Sequence, residues 1–274
     1  MLGVGIDVDW LSFKKVERAY FYWRARGVSI PELFREKGFR NVRIRVDFVP
    51  DSRNLTRLKE VVDDCLKAGI IPVVAYSAKE LRENPNEKNA EKFVEWWRKV
   101  AVTLKDEPLV SFDLIIETGG PVKNKPEFLN AVYSRAIAAI RQISPHRIVM
   151  VTPARLSSPF ELKYLNVSGK YIIAEWHIYA GGPKKRGFNR TLIESAVKTA
   201  VEWSKKTGIP TWVGAWRPLR PGVNETVYLK FTKFMSGILK KNNIPYDINA
   251  DEWFFNAENL TWQREDLLRV VLDP

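Results

Sequence analysis

The stretch Phe112-Asp113-Leu114-Ile115-Ile116-Glu117-Thr118-Gly119-Gly120 is where residue type and position point most directly to chemistry. Four of the five residues before Glu117 are apolar, the pattern of a strand covered on both faces in a parallel sheet. The glycines after Thr118 stop that strand and open a loop. The segment therefore delivers one carboxylate to a strand end, where a glutamate can serve as a general acid or base. A second segment, Ile209-Pro210-Thr211-Trp212-Val213-Gly214-Ala215-Trp216, also has the shape of a site strand: an apolar run, a glycine, then a rim aromatic. Its Ala215 offers no chemistry.

Two further segments carry polar groups in period-two order. In Asn41-Val42-Arg43-Ile44-Arg45-Val46, alternation turns Arg43 and Arg45 to the same side. An arginine inside a sheet-walled core needs a carboxylate. Pairing with Glu117 would hold that group ionised, and the plainer alternative is a structural ion pair. In Ala174-Glu175-Trp176-His177-Ile178-Tyr179, the side chains of Glu175, His177 and Tyr179 share one face. His177 at a strand end beside a tyrosine reads as a site residue, whereas His146, after Ser144-Pro145, falls at the start of a strand. No His/Cys/Asp/Glu cluster has metal-ligand spacing, and no phosphate-cradling glycine loop or nucleotide fingerprint follows a strand. Neither metal nor cofactor is expected.

What positions these residues is an alternation of strand-length apolar runs with amphipathic helical segments, the pattern of βα units around a parallel sheet. Strands are expected at Val4 to Val8, Asn41 to Val46, Ile70 to Ala75, Ser111 to Glu117, Arg147 to Val151, Tyr171 to His177, Pro210 to Gly214 and Ile244 to Ile248. Helices are expected at Pro31 to Lys37, Leu55 to Ala68, Glu87 to Leu104, Pro126 to Ile143, Leu192 to Thr207 and Val227 to Lys241. The run from Ile178 to Arg190, with its basic cluster Lys184-Lys185-Arg186, reads as a long loop that overhangs a cleft. Eight strand candidates in 274 residues make a closed (β/α)8 TIM barrel, one α/β domain over residues 1–274, the economical architecture.

Composition excludes some classes. The formal net charge is +12, which can signal a polyanionic partner, but the basic residues are scattered along the chain and no aromatic-interleaved basic block stands out. A nucleic-acid partner is not expected. No apolar run approaches the roughly 18 residues of a membrane span. Ten tryptophans exceed ordinary packing needs and suit carbohydrate stacking, although most tryptophans are core or rim. Phe93, Trp96, Trp97 and Val100 fall at helical spacing and read as core. The lone Cys65 is expected buried and unpaired. Only two glutamines (Gln142, Gln263) beside 28% charged residues match the bias of thermostable proteins. Met1-Leu2-Gly3-Val4-Gly5-Ile6-Asp7 already reads as a strand rather than a leader. Sequons at Asn54, Asn166, Asn189, Asn224 and Asn259 tilt the reading toward a secreted or extracellular protein, with the cytoplasm as the alternative. A monomer is expected.

With these residues in view, the chain resembles the cellulase-like glycoside hydrolases of family 5, retaining enzymes on a TIM barrel. The similarity runs along nearly the whole chain and is strongest in Lys37-Gly38-Phe39-Arg40-Asn41-Val42-Arg43-Ile44, Lys79 to Pro85, Phe93 to Trp97, Lys105 to Leu114 and Ala139 to Arg147. The resemblance implies that Arg43 is the site arginine, Glu117 the acid/base, His177 and Tyr179 the family's "HxY" pair, and position 215 the nucleophile. It also implies substrate contacts from Tyr76, Trp216 and Trp253, and a β-linked oligosaccharide or polysaccharide as substrate. The departures are Ile116 and Thr118 around the acid, Tyr76 and Ser77 for paired histidines, Asn249 for a strand-eight tryptophan, and Ala215 for the nucleophilic glutamate. Three accounts of Ala215 stay open: a nucleophile replaced by engineering in an otherwise active enzyme, a sugar-binding relative without catalysis, or catalysis rewired through Glu175, Asp113, Asp251 or Glu252. A polyanion-binding scaffold barrel is the alternative from another class.

Overall fold

In the computed structural model, which describes residues 2–273, eight parallel strands pair in chain order and the last closes on the first. They are β1 (Val4–Val8), β2 (Asn41–Val46), β3 (Ile71–Tyr76), β4 (Ser111–Asp113), β5 (Val149–Val151), β6 (Ile172–His177), β7 (Thr211–Trp216) and β8 (Tyr246–Ile248). The expected TIM barrel is the fold. After β8 a short antiparallel pair, β9 (Phe255–Asn256) and β10 (Thr261–Trp262), packs Phe255 and Trp262 on Phe34 of the helix Ile30–Lys37.

Local chemistry sets the helix ends. Asp51 accepts from the Asn54 amide to start the helix Ser52–Ala68, and Gly69, with φ of 73°, ends it. That left-handed conformation is cheap only for glycine. The expected stripe of Phe93, Trp96, Trp97 and Val100 is buried on the helix Glu87–Thr103. Two helices of eight residues or more, Lys14–Arg24 and Glu265–Leu272, and two short ones, Lys79–Glu83 and Ala154–Ser157, lie outside the expected set. Among the described residues no helix is long and apolar enough to cross a membrane.

The barrel interior is layered, as this fold requires. Val73, Met150 and Trp212 form an apolar plug with Leu2 toward the N-terminal end of the strands. Above it lies a layer of ionisable side chains, Asp7, Arg43, Asp113, Glu175 and Asp247, each at zero exposure. Trp212 joins the two: its indole N–H donates to Asp247 Oδ1 at 3.1 Å, and the Arg43 guanidinium lies 5.6 Å from its ring centroid.

Several strand ends shift by one or two residues from expectation, and one shifts by four. β4 ends at Asp113, not at Glu117. The next residues are tied individually, with the Leu114 amide donating to the Met150 carbonyl and the Ile116 amide to the Tyr76 carbonyl. Glu117 is thus presented by an irregular segment over the barrel mouth.

Candidate active site

Period-two alternation on β2 turns Arg43 into the barrel, where it meets three carboxylates from three other strands. Its Nη2 donates to Glu175 Oε1 at 2.6 Å and to the Ile116 carbonyl at 2.7 Å, and its Nε to Asp113 Oδ2 at 2.7 Å. Nη1 lies 3.3 Å from both oxygens of Asp7. Arg45, one level higher, pairs with Asp9. The expected Arg43–Glu117 pair does not form, because nearer carboxylates saturate the guanidinium and its closest approach to that segment is the Ile116 carbonyl.

His177 links this layer to the mouth. Its Nε2 is 2.8 Å from Glu175 Oε1 and its Nδ1 is 3.3 Å from Glu117 Oε2. A neutral imidazole has one donor nitrogen, whereas the imidazolium donates to both carboxylates. Burial opposes that charge, but Glu175 and then Glu117 outweigh it and push the His177 pKa up to about 9. In turn, burial favours a neutral Glu117, yet the bond and charge of His177, with Arg82 and Arg43 further off, hold its carboxyl below the usual range. Glu175 is held low against its burial by Arg43 and His177.

Asp113 goes the other way: burial dominates over Arg43 and keeps its carboxyl well above the usual range. The Glu175 carboxylate nearby adds to that rise, and Asp113 Oδ1 and Glu175 Oε2 are buried oxygens that meet no donor. Asp247 and Asp251 are likewise raised chiefly by burial.

Around position 215 the strands lose their regular register, between Trp176 and His177 on one side of β7 and between Val213 and Trp216 on the other. Val213 and Trp216 both pack into the outer core, while Gly214 faces the interior against Glu175. Ala215 pairs with His177 and is 1% exposed. It brings no carboxylate to the mouth.

The cluster Glu117, His177, Glu175, Arg43 and Tyr179 is therefore contiguous; Tyr179 sets its ring edge-on to His177 at 5.9 Å and is 42% exposed. Trp253 is half-buried beneath the Arg217 guanidinium, 5.8 Å from ring centroid to carbon. Trp216 lies elsewhere, fully buried on Phe231 and Tyr246. Tyr76 also lies elsewhere, stacked flat on Trp96 at 3.9 Å in the layer between β3 and its neighbouring helix.

Sequence reasoning passed over Asp7 and Asp9 as the partners of Arg43 and Arg45. Their signal was present in Gly5-Ile6-Asp7-Val8-Asp9, two carboxylates at period two on an otherwise apolar strand. It also passed over Arg217, whose Nη2 donates to Asn249 Oδ1 at 3.3 Å, while Asn249 Nδ2 donates to Asp7 Oδ2 at 2.8 Å.

A parallel eight-stranded barrel with a glutamate, a histidine and a tyrosine at the C-terminal ends of its strands has the architecture of a barrel hydrolase. The chain belongs to the cellulase family, glycosyl hydrolase family 5, whose model matches residues 12–248. Family membership makes it a β-glycan hydrolase by descent. No curated protein sequence matches it.

Solved structures are similar over the whole chain. A hyperthermophilic endo-β-1,4-glucanase in complex with substrate has 22% identity and a TM-score of 0.84, with 100% of this chain and 97% of that one covered. Endoglucanase Cel5A from Thermotoga maritima has 21% identity and a TM-score of 0.83, with coverage of 98% and 97%. Cellulose synthase subunit Z from Clostridioides difficile has 20% identity and a TM-score of 0.83, each chain covered in full at 100%. At such identities the likeness establishes the fold.

Proposed function

We propose that the C-terminal face of the barrel binds a β-linked glucan or a similar oligosaccharide, with Glu117, His177 and Tyr179 lining the cleft, and that a chain with Ala215 does not run the retaining reaction. Retaining hydrolysis uses two carboxyl groups about 5 to 5.5 Å apart, one attacking the anomeric carbon and one protonating the leaving oxygen. The observation that carries the reading is that Glu117, with a side chain 32% exposed, stands beside His177 at the mouth, while the position on β7 paired with His177 is alanine. Glu117 takes the acid/base position and Ala215 the vacated nucleophile position.

Glu175 is the nearest other carboxylate, but it is sealed from solvent and bound to Arg43 and His177. Its surroundings favour a positioning residue that orients His177, and through it Glu117, over an attacking group. The substrate class draws support from structures of Thermotoga maritima Cel5A described with cellobiose and with mannotriose.

Calorimetric titration with cello- and manno-oligosaccharides is the direct test, and no binding at millimolar ligand would overturn the cleft. Ala215→Glu should then create hydrolysis with retained anomeric configuration. If that variant binds sugar and stays inert on a broad panel, the site is a sugar-binding one without catalysis.

A further inference from the structure

Beside Tyr179, between the segments that follow β6 and β7, lies a cavity of about 330 Å³ lined by Tyr179, Pro183, Arg217, Leu219 and Arg220. Its two guanidinium groups differ from those of Arg43 and Arg45. Arg43 and Arg45 are matched by carboxylates. Among the described residues neither Arg217 nor Arg220 has a carboxylate within 4.0 Å, the limit that defines the ion pairs.

Arg217 is also short of acceptors. It is half-buried, its Nε is buried with no hydrogen-bond partner, and its one bond, to Asn249 Oδ1, is long at 3.3 Å. A guanidinium presents five N–H donors in a planar fork that fits carboxylate and other oxyanions. The cavity wall continues into the exposed run Lys184, Lys185 and Arg186, none of which is paired with a carboxylate among the described residues. Five basic side chains without a carboxylate partner among the described residues thus stand at this edge of the cleft.

We propose that this cavity receives an anionic group carried by the glycan, a carboxylate or a sulfate on a β-linked sugar, with Arg217 as its principal ligand and Arg220 and the basic run drawing it in. The inference rests on the reading of the C-terminal face as a glycan cleft and narrows it to acidic glycans. Trp253 beneath the Arg217 guanidinium holds the fork in place, and Tyr179 ties the cavity to the Glu117–His177 pair.

The test compares cellohexaose with its C6-carboxylated and its sulfated counterparts by calorimetry, on the chain and on Arg217→Gln and Arg217→Lys, at low and at moderate salt. One of the anionic ligands should bind about tenfold or more tightly than the neutral one, and which does so identifies the group. The advantage should shrink with added salt. Arg217→Gln should bring the anionic ligand to the level of the neutral one, and Arg217→Lys should keep only part of the gain, because a point charge lacks the fork. Melting curves matching that of the parent verify that the variants fold.

If the neutral ligand binds as well as the anionic ones, or the advantage survives Arg217→Gln, the inference fails and the glycan cleft stands. If no sugar binds, both fail. A single-stranded oligonucleotide of equal charge that binds as tightly, with the same loss in Arg217→Gln, would overturn it in favour of an unselective polyanion site.

Discussion

The carboxylate of Glu175 occupies the space that a side chain at Gly214 would need: a Cβ at position 214 would stand 1.7 Å from Glu175 Oε1. That oxygen is also the one bonded to Arg43 Nη2 and His177 Nε2. The glycine lies inside β7. It lets a glutamate on β6 cross to an arginine on β2.

Gly214→Ala should expel Glu175 from the centre of the barrel. Breaking a buried ion pair by displacing one partner costs about 3 to 5 kcal/mol, and chemical denaturation should register a loss of that size. In a Glu175→Ala background the same change should cost much less, since the clash is gone. Additive losses in this cycle would contradict the coupling.

Arg43→Met removes the cation that Asp7, Asp113 and Glu175 share. Uncompensated buried carboxylates should destabilise the chain by about 3 to 5 kcal/mol at neutral pH. Arg43 lowers the Glu175 carboxyl in the parent against its burial, so the parent's advantage is present above the ordinary carboxylate range and fades as acid protonates Glu175. Denaturation midpoints should show a smaller deficit near pH 4 than at pH 7, and a deficit that does not change would refute this.

The barrel was legible because its strands are buried on both faces and announce themselves as apolar runs, as at Asn41–Val46, where expected and observed ends coincide. The helix Lys14–Arg24 was not, since its N-cap is Phe13, which gives no side-chain cap, and its apolar positions are mostly aromatics set among charges. The shared face of Glu175, His177 and Tyr179 followed from period two and survives the register shift between Trp176 and His177. Trp216 broke the same rule, because the irregular register at Gly214 and Ala215 turns it outward onto Phe231; a glycine is the only trace such a bulge leaves in sequence. The sequons have a local reason: Asn189 and Asn224 cap helices, and Asn259 Oδ1 accepts from Thr261. Asn-X-Thr is thus also a turn signature.

His177 should make stability depend on pH in a window above neutrality. Its pKa is raised from 6.5 to about 9 in the fold, so its contribution is complete below about pH 6.5 and is lost as pH rises through about 9. Within the window stability should fall by up to about 1.4 kcal/mol per pH unit. The groups facing the ring are Glu175, Glu117, Arg43 and Tyr179. His177→Gln should flatten that slope, which urea titrations from pH 6 to 10 would reveal; an equal slope in the variant would rule out His177 as its source.

Tyr179 and Trp216 should separate binding from stability. Tyr179 is 42% exposed at the mouth, edge-on to His177, so Tyr179→Ala should shift the unfolding midpoint far less than a core substitution while weakening oligosaccharide binding about fivefold or more, the loss of one stacking contact of about 1 kcal/mol. Trp216 is fully buried between β7 and the helix Glu225–Lys241. Trp216→Ala should cost about 3 to 5 kcal/mol of stability through the cavity it leaves, while the folded fraction keeps its affinity for sugar. Paired denaturation and calorimetry on both variants check this. If Trp216→Phe, which keeps the core filled, still lowers sugar affinity, then Trp216 belongs to the cleft and the outward packing on Phe231 is not its whole role.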